Sequence, residues 1–196
     1  MRTIALLVLL AVSTPLIAQE GMYTGIGIGS FDYSESDPFL APEPLAERVS
    51  AWKLYGGFEM NEHLAFEIRY GESEEIGTTT SFVDPFAGPI SSTVDVDFQV
   101  TTVLGMGMLP FEWGTLLGGI GFFSSSSDAD FSIVSECCGS ARGSADLDDD
   151  GLAAMVGVEW RFGRLGTGIG VRLEYEWLDF ENAKASTLGV GVSYRF

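Results

Sequence analysis

The chain has 196 residues, of which 46% are hydrophobic, 12% aromatic and 19% charged, with 25 Gly. Its 28 acidic residues against 10 basic ones give a formal charge of −18, which argues against a nucleic-acid partner, because phosphate binding needs clustered Lys and Arg. Outside residues 4–12 no long apolar run occurs, so no membrane helix of roughly 20 residues can be drawn, although mean hydropathy is positive.

The first predicted element is a secretory signal peptide over residues 1–18. Arg2 supplies the charged start, Ile4 to Val12 the apolar core, and Ser13 to Ala18 a small-residue cleavage region, with cleavage expected after Ala18. The mature chain then runs from Gln19 to Phe196, and loss of Arg2 takes the charge to −19. The residue just after the cleavage point is Gln19 rather than Cys, which argues against a lipid anchor.

From Met22 onward apolar residues alternate with small or polar ones in eight segments of about ten residues, the per-segment signature of a transmembrane β-barrel. Segment one (22–33) is glycine-rich. In segment two Trp52, Leu54 and Phe58 oppose Lys53, Tyr55 and Glu59, and in segment three Leu64, Phe66, Ile68 and Tyr70 oppose Glu67 and Arg69. Segment four (94–108) sets Val96, Phe98, Val100, Leu104 and Met106 against Asp95, Asp97, Gln99, Gly105 and Gly107. Segment five (115–123) is again glycine-rich. Segment six opposes Leu152, Ala154, Val156, Val158, Trp160 and Phe162 to Gly157, Glu159 and Arg161. Segment seven opposes Ile169, Val171, Leu173, Tyr175 and Trp177 to Gly170, Arg172, Glu174 and Glu176. In segment eight Leu188, Val190, Val192, Tyr194 and Phe196 alternate with Gly189, Gly191, Ser193 and Arg195.

Every charge in segments two to eight falls on the non-apolar parity. Five are basic (Lys53, Arg69, Arg161, Arg172, Arg195) and seven acidic (Glu59, Glu67, Asp95, Asp97, Glu159, Glu174, Glu176). The connections alternate short (60–63, 110–114, 163–166) and long (34–48, 71–93, 124–150), as in an outer-membrane barrel with short periplasmic turns and long extracellular loops. Placing both termini in the periplasm gives two aromatic girdles. Phe58, Phe66, Phe162, Tyr194 and Phe196 form the inner one, and Trp52, Tyr70, Phe122, Tyr175 and Trp177 the outer. The expected fold is all-β, an eight-stranded antiparallel transmembrane up-and-down barrel, whose closure leaves no sheet edge in the bilayer.

These residues resemble a known family, the small eight-stranded outer-membrane β-barrels of OmpA and OmpX type, without a periplasmic peptidoglycan-binding domain. The resemblance rests on Tyr23-Thr24-Gly25-Ile26-Gly27-Ile28-Gly29, on Val171 to Phe180, and on Gly189 to Phe196. It implies residence in the outer membrane of a Gram-negative bacterium, contact with outer-membrane lipid and lipopolysaccharide, and recognition of the strand ending in Phe196 by the outer-membrane assembly machinery. It also spans anchors, adhesins, small pores and a few lipid-modifying enzymes, so it speaks for fold more than activity.

A barrel of eight strands is just wide enough to be filled by its own side chains. The inward charges therefore read as a lumen network of Lys53, Glu59, Glu67, Arg69, Glu159, Arg161, Arg172, Glu174, Glu176 and Arg195, paired because buried charges persist only when paired. A gated narrow water path is the alternative. Glycines 25, 27, 29, 105, 107, 119, 121, 170, 189 and 191 are expected to face inward and make room for long side chains from opposite strands, which supports the paired network.

Asp146-Leu147-Asp148-Asp149-Asp150-Gly151 has the opening spacing of an EF-hand loop but Gly157 where Glu is required, which leaves Asp146, Asp148 and Asp150 as a weak surface-calcium candidate. The adjacent Cys137 and Cys138 suit a loop disulfide, within the chain or between chains. With His63 the lone histidine and placed in a short turn, no Ser-His hydrolase site can be built; neither an enzyme nor a cofactor is expected. The three long loops carry −3, −4 and −6, together −13 of the mature −19. The function read here is structural or surface-presenting, with a loop-mediated adhesin or ligand binder and a low-conductance channel as alternatives.

Overall fold

The computed structural model describes residues 21–35, 46–84, 88–135, 137, 139–162, 168–180 and 183–196. The signal-peptide assignment and the turn at 163–166 lie outside them. Among the described residues there are nine strands: β1 (Met22–Glu35), β2 (Ala46–Glu59), β3 (Leu64–Ser73), β4 (Ile76–Asp84), β5 (Gly88–Phe111), β6 (Gly114–Ser135), β7 (Gly139–Phe162), β8 (Gly168–Asp179) and β9 (Ala183–Arg195).

Eight of them close a ring. Each pairs antiparallel with its neighbours, β3 pairs with β5, and β9 pairs with β1. The ring is sheared. Following paired residues from Tyr23 through Gly57, Glu67, Leu104, Gly121, Ala153, Leu178 and Ala185 returns to β1 at Tyr33, ten residues along. Such stagger tilts the strands and fixes the width of the barrel.

The ninth strand departs from the eight read in the sequence. β4 continues the line of β3 past Glu74 and Glu75 and pairs with β5 outside the ring, from Ile76↔Val96 to Asp84↔Gly88. Likewise, 124–150 is largely strand rather than loop. β6 and β7 stay paired from Thr115↔Glu159 out to Ser135↔Gly139. Two of the three long loops are thus strand extensions, and β4 to β7 form a sheet projecting beyond the ring.

Segment four inverts the expected parity. Leu104, Met106 and Met108 are buried in the lumen, while Gly105, Gly107, Asp95 and Asp97 face outward. Register explains this. Cross-strand partners share a face, and Leu104 is paired with the inward Glu67. The larger apolar set of β5 therefore fills the barrel, opposite the charged wall, and small residues face lipid. Asp95 and Asp97 lie on the projecting sheet, where an outward carboxylate meets water.

The outer face has a band free of charge among the described residues. Ile28, Ile68, Ile120, Phe122, Val156, Leu173 and Val190 are exposed there, and burying such a face in hydrocarbon anchors a barrel by apolar transfer. Both predicted girdles lie on this outward face.

Candidate functional site

Inside the ring, β2, β3, β7, β8 and β9 each send charged side chains inward. Arg172 on β8 is almost fully buried, and its Nη1 donates to Glu67 Oε1 and Oε2 at 3.0 and 2.8 Å. Its Nε and Nη2 reach Glu159 Oε2, both at 3.3 Å. Arg69 Nε donates to Glu67 Oε1 at 2.6 Å, and Arg69 Nη2 to Glu174 Oε2 at 3.2 Å. Lys53 pairs with Glu174 and, at 3.1 Å, with Glu176. Toward the short turns Arg195 bridges Glu159 at 2.7 Å and Glu59 at 2.9 Å, and Arg161 bridges the same two at 3.0 and 2.9 Å.

With Asp95 and Asp97 outside, five cations (Lys53, Arg69, Arg161, Arg172, Arg195) meet five carboxylates (Glu59, Glu67, Glu159, Glu174, Glu176) in one continuous chain of ion pairs. Neutrality matters, because an unmatched charge in a low-dielectric interior costs several kcal/mol. Two tyrosines complete the tier. Tyr23 Oη donates to Glu67 Oε2 at 2.6 Å, and the Tyr55 ring lies 4.5 Å below the Arg172 guanidinium.

Two glycines make that packing possible. Gly25 is the cross-strand partner of Tyr55 and Gly57 that of Tyr23. A Cβ on either would run into the tyrosine ring lying across it.

A second, apolar tier lies toward the projecting sheet and was not recognised from the sequence. Phe31 and Tyr33 pack on Phe98 with ring centroids 5.7 and 4.9 Å apart, and Phe123 packs on Phe180 at 4.6 Å. Leu104, Met106, Met108, Leu117 and Met155 extend the cluster along the lumen. The signal lay in the parity: Phe31 follows Gly25, Gly27 and Gly29, and Phe180 follows Glu176 and Leu178. Next to Phe31 and Phe98 lies a cavity of about 50 Å³, lined also by Lys53, Arg69, Ser73 and Glu176. Arg69 Nη1, Ser73 Oγ and Glu176 Oε1 are buried without hydrogen-bond partners, although Arg69 Nη1 sits 3.1 Å from the other Glu176 oxygen. The polar atoms on the wall of this largely apolar cavity suit a bridging water.

The remaining candidates lie outside the lumen. Asp146, Asp148 and Asp150 follow one another along the straight β7 opposite Asp128, Ser126 and Ser124. A straight strand spreads them instead of wrapping them round an ion, and among the described residues no group of three or more His, Cys, Asp or Glu converges. Asp128 instead pairs with Asp146. A hydrogen bond that the protonated Asp128 carboxyl donates to that neighbour, then partial desolvation and the charges of Asp146, Asp97 and Asp130, hold the Asp128 carboxyl above its ordinary range. Cys137 is disulfide-bonded, and Cys138 lies outside the described residues. His63 sits at a short turn, with Nδ1 3.3 Å from the Met108 carbonyl oxygen.

Residues 4–196 match the family described as outer membrane protein beta-barrel domain. The chain belongs to that family. It is accordingly an outer-membrane β-barrel protein. Solved structures share the fold at low identity. The attachment invasion locus protein Ail of Yersinia pestis is 17% identical, with a TM-score of 0.53 over 91% of this chain and 100% of that one. Neisserial surface protein A is 14% identical at a TM-score of 0.55, over 90% of this chain and 97% of that one. OprG of Pseudomonas aeruginosa is 11% identical at 0.54, over 91% and 97%. No curated protein matches the chain.

Proposed function

We propose that this barrel is a closed, non-enzymatic anchor that presents its projecting sheet on the cell surface, with the short turns and both termini in the periplasm. The observation that carries this reading is the filling of the lumen by two tiers of different chemistry. A neutral ion-pair tier spans five strands, and an aromatic tier lies between it and the projecting sheet. A solute passing through must break buried ion pairs and displace packed rings, whereas β5, β6 and β7, each of 22 or 24 residues, lift their far ends clear of the membrane band.

The paired carboxylates of the outward sheet face also set the kind of contact it favours. Ail has been crystallised with the heparin analogue sucrose octasulfate; on this chain Asp95, Asp97, Asp128, Asp130 and Asp146 line neighbouring strands and repel such a polyanion.

Presentation is tested by introducing Ser144→Cys on β7 and Glu62→Cys in a short turn. Intact cells are treated with a membrane-impermeant maleimide. Labelling at position 144 on intact cells, and at 62 only after permeabilisation, is the expected pattern. The reverse pattern would invert the orientation and remove the proposal.

A further inference from the structure

The projecting sheet has two unlike faces. Its outward face carries the carboxylates, with Asp97 opposite Asp128, Asp128 opposite Asp146, and Asp95 opposite Asp130. Its inward face continues the apolar stripe of the lumen along β5 through Phe98, Val96 and Val94, and on β6 and β7 becomes apolar again beyond Ser125, Ser127 and Asp149. Val94 pairs with Phe131, Ile133 with Ala141, and Ala129 with Ala145. These apolar residues are not tucked away, since Phe131 is 43% and Leu147 56% exposed.

Phe131 lies across its partner Gly143, where a Cβ would collide with the ring. The surface is therefore built in place by register. Above the ring neither face has lipid to cover it. A sheet in water ordinarily keeps its apolar face packed and its polar face solvated, and exposed contiguous apolar surface marks an interaction site.

We infer that the inward face of the β5–β7 extension docks an extended segment of a partner protein in which apolar residues alternate with Lys or Arg. The inference rests on the presentation reading above and names the face and the chemistry of contact. Charge selects the occupant. The chain carries −18 and the reverse face is a run of carboxylates, so a second copy of the chain is repelled and a basic partner is drawn in. The apolar side chains of the incoming segment cover Phe131, Ile133 and Leu147. Its basic residues lie at the sheet margins, within reach of carboxylates such as Asp149 on β7.

The test uses the full barrel in lipid nanodiscs and a fluorescent ten-residue peptide alternating Val with Lys. Controls replace every Lys by Glu, or every Val by Ser. Anisotropy should report saturable binding of the Val-Lys peptide alone. Phe131→Ser with Ile133→Ser, or Leu147→Ser on the neighbouring strand, should weaken it at least tenfold, while Arg142→Gln leaves it within twofold.

Heat-modifiable gel mobility shows separately that each variant has folded. Surface labelling at position 144 reports presentation independently, so failure of one claim is distinguishable from failure of the other. Equal binding by the serine variants or by the Glu peptide overturns the inference. So does a concentration-dependent rise in particle mass, which would make a second copy the occupant. Tighter binding after deletion of residues 37–44 would make that segment of the chain the occupant, and overturns it too.

Discussion

Arg172 and Glu67, 105 residues apart in sequence, meet across the lumen through one guanidinium nitrogen that donates to both carboxylate oxygens at 3.0 and 2.8 Å. Both side chains are essentially inaccessible. Removing one member of such a pair leaves the other charged and buried, which costs about 3–5 kcal/mol. Arg172→Ala should destabilise the folded barrel by that amount in urea unfolding in lipid. Arg172→Leu with Glu67→Leu should cost distinctly less than the two single changes added together, because the double change leaves no unmatched charge in this pair. Additive effects would show that the pair is not coupled.

Gly57 holds space for the ring of Tyr23, and Tyr23 in turn donates to Glu67 at 2.6 Å. Gly57→Val inserts carbon where that ring lies and should cost about 1–3 kcal/mol as overpacking. The loss should shrink when Tyr23→Ala is combined with it. Unfolding midpoints of the two single variants and the double variant decide the matter.

Ile120 points to lipid, in the charge-free band, and is 75% exposed. Ile120→Arg should cost about 2–4 kcal/mol if it lies near the bilayer midplane. Asp97→Arg, on the same side of the wall but beyond the band, should cost little and remove a repulsive neighbour of Asp128. Equal penalties at the two positions would contradict the membrane boundary drawn here.

The Asp128 carboxyl titrates above its ordinary value of 3.8 because Asp146 faces it across the hairpin. A carboxyl with a raised value in the folded state binds its proton more tightly there than in the opened hairpin. Its contribution to hairpin pairing is therefore complete below the ordinary value and is lost as pH rises through the raised one. Amide exchange of Ser127 and Leu147, corrected for intrinsic rate, should show greater protection at pH 3.5 than at pH 7, and Asp128→Asn should flatten the difference. Protection that rises with pH in the unaltered chain would reverse the sign.

Much of this architecture was legible from alternation alone, because a barrel wall gives every strand two faces of different solvent. Ten of the twelve charges on the non-apolar parity face the lumen, Asp95 and Asp97 being the exceptions, and β7, β8 and β9 read without ambiguity since their apolar residues are large and their inward residues charged or small. β5 defeated the same logic. Both of its parities are free of charge from Gln99 to Leu109, so side-chain size was the remaining cue, and here the lumen takes the larger set. Only the register with Glu67 on β3 settles it. The strand extensions were hidden for a related reason. Ser, Gly and Asp in 124–150 are weak strand formers, and the threonines of 77–84 favour a strand but carry no apolar alternation; pairing between strands, which single-chain periodicity does not register, holds both stretches in the sheet.

The most direct test of the closed lumen is single-channel recording of the refolded barrel in a planar bilayer at neutral pH and moderate salt, with folding verified by gel mobility. The expected result is a silent bilayer for the unaltered chain. Silence should persist in Phe98→Ala, which opens the aromatic tier and leaves the ion-pair tier whole. Stable, reproducible conductance steps from the unaltered barrel would contradict the closed lumen and put a pore in its place.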